Sequence, residues 1–179
     1  MLVSHDASGP DAGQLPAIIE TRDPGIEDLS VRVGGGPEPF HLMADNLFLL
    51  QTSGAQKAWV WDPSDREVVS ERCLELFHTT GSRELLVFRE QFRPRAMVCE
   101  LKTGVGVYIP ALAPYLLEGG GAAVALTYST RATRESKVLY KGNHALRELG
   151  LAPHPIGVSG VRGRLRDRVK LQVAKLIAR

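Results

Sequence analysis

Residues 46–62 read NLFLLQTSGAQKAWVWD, two apolar and aromatic runs on either side of Ser53-Gly54. Runs rich in Leu, Phe, Val and Trp that break at a small residue followed by glycine predict a β-hairpin. Trp59 and Trp61 alternate with Val60, so on an extended chain both indoles share one face, where core or interface packing is expected. Just beyond, Ser64 stands three residues before Glu67 and is followed by apolar Val68, Val69, Cys73, Leu76 and Phe77 at helical spacing. That is a capping box opening an amphipathic helix over 65–78.

The chain continues with two strand patterns, RELLVFREQF (83–92) and AMVCELK (96–102), joined through Arg93-Pro94-Arg95. Proline lacks an amide donor and suits the turn between them. IPALAPYLLEGGG (109–121) predicts a short helix from Pro110 to the glycine triplet. AAVALTYS (122–129) is continuously apolar, as a buried strand is. Asn143 is placed to cap HALRELG, which Gly150 ends. Leu165, Val169, Val173, Leu176 and Ile177 line one face of a last helix, with arginines opposite. Helices alternating with strands predict an α/β or α+β fold, a mixed β-sheet flanked by helices in a single domain. The organisation expected is a disordered tail over 1–15, a globular domain over 16–161, and a basic amphipathic helix over 162–179.

Composition narrows the class. No apolar run approaches the roughly 20 residues that span a bilayer. The first residues, MLVSHDASGPDAG, lack the basic-then-apolar order of a secretory leader. Cys73 and Cys99 fall inside apolar segments, so reduced thiols and a cytoplasmic location are expected. The net charge of +2 is unevenly spread: residues 162–179 carry seven Lys or Arg against one Asp, leaving 15 basic and 19 acidic groups before them. Arg162, Arg164, Arg166, Arg168 and Lys170 are therefore candidate contacts for the phosphates of DNA or RNA. A solvated helix face, or a protein partner docked on the apolar stripe, accounts for the same residues.

The chemically suggestive stretch is RPRAMVCELKTG (93–104). Alternate strand residues share a face, so Glu100 and Lys102 stand together while Leu101 turns to the core. A carboxylate supplies the hard oxygen that a divalent metal takes, and a neighbouring ammonium can orient water. A charged pair on a sheet edge is the competing reading.

With its helix, strands and E-x-K in this order, the segment from about 64 to 130 resembles the PD-(D/E)xK nuclease superfamily. The resemblance implies a mixed sheet, Mg2+ and phosphodiester hydrolysis. It gives catalytic roles to Glu100 and Lys102 and metal ligation to Glu90 and Glu100. The family's Pro-Asp is missing, since Arg93-Pro94-Arg95 precedes the E-x-K; Glu90 is the nearest substitute, and Glu71 or Glu75 stands for a helix acid. The function expected is thus a nuclease-like, nucleic-acid-binding protein. The other reading is a non-catalytic interaction or regulatory subunit docking through the C-terminal helix or the tryptophan hairpin. The same strands also resemble the opening of Nudix hydrolases, but the glutamate-rich helix those enzymes require is absent. Gly104-x-Gly106 lacks the third glycine of a dinucleotide loop.

Overall fold

The computed structural model describes residues 5–6, 25–32, 38–156 and 167–172. The chain divides into two compact units, one of residues 1–63 and 88–131, the other of residues 64–87 and 132–179.

The first unit is a seven-stranded sheet in which every pairing is antiparallel. Its strands are β1 (His5–Asp6), β2 (Gly25–Arg32), β3 (Glu38–His41), β4 (Asn46–Val60), β5 (Met97–Lys102), β6 (Val105–Ile109) and β7 (Tyr115–Ser129). β4 and β7 form the spine, in register from Asn46 opposite Tyr128 to Val60 opposite Tyr115. β6 and β5 follow one another along the free edge of β4. β2 and β3 do the same along β7.

This register forces the sheet to curl. His41 lies opposite Tyr115, and Asn46, five residues on, lies opposite Tyr128. Five residues reach at most about 18 Å, whereas a straight β7 would set Tyr115 and Tyr128 about 43 Å apart. The strand must bend back on itself. Leu47, Leu49, Ala58, Val60, Leu101, Val107, Ile109, Tyr115, Leu117, Ala123 and Ala125 then meet inside the curl as one core, each 4% exposed or less. The bend has a local cause. A bulge falls between Gln51 and Ser53, and Gly54, Gly119 and Gly121 take φ of 75°, 109° and 129°, a region closed to most side chains.

Several expectations are corrected here. The mixed, helix-flanked sheet is a curled antiparallel one, and the helices fall in the other unit instead of alternating with its strands. Ser53-Gly54 does not reverse the chain. A glycine at positive φ serves a bulge as well as a turn, and β7 offers a partner along the whole of β4. Residues 110–118 are not a helix: Tyr115 and Leu117 enter β7, and the glycine triplet continues it, with β4 too close for a Cβ at Gly119 and Gly121. Residues 83–92 are not a strand. Leu86 N–H donates to the Arg83 carbonyl, and Glu90–Arg95 form a 3-10 helix with Pro94 inside. The strands at 97–102 and 122–129 match their expectations, with Leu101 fully buried.

The second unit holds α1 (Glu71–Thr80), α2 (Arg131–Glu148) and a helical run at 167–172. α1 begins six residues later than the capping box predicts. Asp65 closes its own turn, accepting from the Glu67 amide at 3.1 Å, and Ser70 caps the helix through the Cys73 amide at 3.2 Å. Gly81, in the left-handed region, ends it. Glu75, fully buried, accepts a bifurcated hydrogen bond from Arg147 Nε–H on α2, its two oxygens 2.7 and 3.0 Å away. His78 stacks on Tyr140, whose phenol burial pushes up to about 12.

Asn143 is buried inside α2 and caps nothing. Its Nδ2 donates to the His154 carbonyl, and Lys170 Nζ donates to its Oδ1 at 2.9 Å. Replacing exposed Gly142, beside it in α2, with alanine is expected to raise unfolding stability by about 1 kcal/mol, because a Cβ there meets nothing within 4 Å. Chemical denaturation checks this; a loss would mean that 131–148 is not helical at that point.

Cys73 and Cys99 are free thiols. Among the described residues, no helix is long and apolar enough to cross a membrane. The C-terminal helix is described only over 167–172, and residues 1–15 only at His5–Asp6, which pair with Gly106 and Val105.

Candidate functional site

Glu100 and Lys102 do share a face of β5, and that face is exposed. Glu100 lies opposite Lys57 of β4, and Lys57 lies opposite Glu118 of β7. The E-x-K is thus one end of an alternating charge row across three strands, the arrangement that stabilises a solvent-facing sheet. Glu90 sits in the 3-10 helix, three-quarters exposed, and accepts from Arg93 Nε at 2.8 Å. Among the described residues, no three His, Cys, Asp or Glu side chains converge to hold a metal. Glu100 and Lys102 thus stand on the exposed face of β5, and Glu90 lies apart from them in the 3-10 helix.

The basic residues divide. Arg162, Arg164 and Arg166 lie outside the described residues. Arg168 is exposed. Lys170 is engaged within its own unit by Asn143 Oδ1 and the His154 carbonyl, so it anchors the helical run.

A different group gathers at the mouth of the curl, where the segment 41–46 faces the turn 110–114. Leu112 N–H donates to the Met43 carbonyl at 2.8 Å, and the Ala111 amide donates to Asn46 Oδ1 at 3.2 Å. Tyr108 donates its hydroxyl to the same oxygen at 2.7 Å; burial and neighbouring Tyr128 push that phenol up to about 12. Ser129 donates to Asp45 at 2.6 Å. Leu112 holds φ of 63°, a left-handed conformation that costs a leucine on the order of 1–3 kcal/mol.

His41 ends β3 in this mouth. Its Nδ1 lies 2.7 Å from the Pro39 carbonyl, which can only accept, so Nδ1 carries the proton and Nε2 is the acceptor in the neutral ring. The ring packs on fully buried Tyr115, centroids 4.1 Å apart. Two contacts thus fix the imidazole from behind. The sequence holds no local sign of this pair, whose members are brought together only by the β3–β7 register.

No family model and no curated protein matches the chain. Solved structures do. The ribosomal oxygenase YcfD of Escherichia coli, in complex with cobalt and succinic acid, is 18% identical with a TM-score of 0.39; the match covers 86% of this chain and 38% of that one. Hydroquinone 1,2-dioxygenase of Sphingomonas sp. TTNP3, with 4-hydroxybenzoate bound, is 14% identical with a TM-score of 0.40, covering 56% and 58%. The WlaRB TDP-quinovose 3,4-ketoisomerase of Campylobacter jejuni is 11% identical with a TM-score of 0.34, covering 59% and 63%. The chain spans less than two thirds of the length of each.

The nuclease resemblance is corrected by the sheet itself, which is antiparallel in every pairing and not the mixed sheet that the resemblance implies. The phosphodiester hydrolysis that the resemblance implied falls with it. The cobalt belongs to that neighbour's structure.

Proposed function

We propose that the chain is a small-molecule-binding β-domain that seats its ligand at the mouth of the curl, against His41. The observation that carries this reading is the fixed imidazole: Nδ1–H tied to Pro39 O, and the ring backed by Tyr115. A binding group locked by its surroundings gives up little freedom when a ligand arrives. The ligand class is a small organic molecule with a polar group that the imidazole and the tyrosine ring beside it can seat. The strained Leu112 turn on the opposite lip supports the location, since strain of this kind collects at ligand clamps. The free thiols support residence in the reducing cytoplasm.

A ligand-observed NMR screen of small phenols, alcohols and carboxylic acids tests it. Hits are expected to weaken at least about tenfold in His41→Ala, the loss of one hydrogen bond and its packing, and to persist in Lys102→Ala. Hits indifferent to His41 would remove the mouth as the site.

A further inference from the structure

On the outer face of the sheet, Arg93 lies between two aromatic rings. Its guanidinium carbon is 4.7 Å from the Trp59 ring centroid and 5.3 Å from that of Phe88. Nη2 donates to Glu118 Oε1 at 3.0 Å and Nε to Glu90 Oε2 at 2.8 Å. Two π faces with carboxylates at the edges make a site for a planar cation, which an ammonium fills less well.

Other contacts hold the walls. Trp59 Nε1–H donates to Glu118 Oε2 at 2.9 Å and aims that carboxylate. This bond and the Arg93 guanidinium keep the Glu118 carboxyl below its ordinary value, against the opposing effect of burial. Phe88 packs on Phe40 and Trp61, centroids 5.5 and 6.0 Å away. The 3-10 backbone is pinned separately, by buried Phe92 and by Trp61 Nε1–H donating to the Phe92 carbonyl at 2.7 Å. Neither wall needs the Arg93 side chain, which is 31% exposed and paired at the surface, where an ion pair holds weakly.

We propose that Trp59, Phe88 and Glu118 form a guanidinium-binding cage, held in cis by Arg93, that accepts an arginine side chain from a peptide when Arg93 swings out. This is independent of the His41 mouth.

The test follows the Trp59 indole N–H resonance of the full chain in Arg93→Ala while N-acetyl-arginine methylamide is added, with the blocked lysine as the charge control. A saturable shift is expected with arginine and not with lysine. It should be lost when Glu118→Gln is added. In the wild type, where the tethered Arg93 competes at an effective concentration of order mM, binding should be at least about tenfold weaker. An unchanged Trp61 indole resonance reports that the fold is intact. If Arg93→Ala does not fold, Arg93→Lys serves, its ammonium leaving the edge acceptors for a guanidinium. A folded variant without a saturable arginine shift, or with an equal response to lysine, overturns the proposal.

Discussion

Gly121→Ala is expected to cost about 4 kcal/mol or more of unfolding stability, read as a lower midpoint in urea with an unchanged slope. Two penalties coincide. The residue holds φ of 129°, which an alanine adopts only under strain. An added Cβ would also press against the Ser53 carbonyl oxygen, deep inside contact distance, and lie 2.8 Å from Gln51 Nε2. The obstructing oxygen is backbone in the bulge that curls β4, so relief requires moving the spine of the sheet. A loss below about 1 kcal/mol would mean that β4 and β7 are not paired in this register.

Arg147→Met is expected to cost about 3 kcal/mol, because it strands the fully buried Glu75 carboxylate. Arg72, at 3.8 Å and 43% exposed, stays close but replaces only part of the pairing. The pair as a whole is worth far less than either half alone, since both charges were desolvated to make it. Glu75→Leu combined with Arg147→Met should therefore recover most of the loss. A double-mutant cycle measures this, and simple additivity of the two single changes would show that the groups do not meet.

How far the fold could be read in advance is seen residue by residue. Leu101 flanked by Glu100 and Lys102 identified a strand and its inward side correctly, because the two-residue period is local. AAVALTYS was legible for the same reason. Ser53-Gly54 misled, since a bulge and a hairpin turn use the same residues and differ only in whether a distant strand waits alongside. The glycine triplet misled too. It reads as a helix stop, yet at Gly119 and Gly121 β4 comes too close for a Cβ. The residue that lies opposite Glu100 is Lys57, reached only through the β4–β5 pairing. Lys170 looked like a free cation until Asn143 folded against it. His41 and Tyr115 carried no signal, because their meeting is a property of register.

The position of β7 late in the chain also sets the order of events during synthesis. Gly25 pairs with Ser129, His41 with Tyr115, and all of β4 with β7. At about 5–20 residues per second, the 69 residues between Val60 and Ser129 take roughly 3 to 14 seconds to emerge. Until β5 and β6 emerge, Leu47, Leu49 and Val60 have no neighbouring strand, and the other edge of β4 stays open until β7 arrives. Topologies dominated by such distant pairings fold slowly. Newly made β2–β4 is therefore the stretch a ribosome-bound chaperone would have to shield, and β7 is the strand whose arrival releases it.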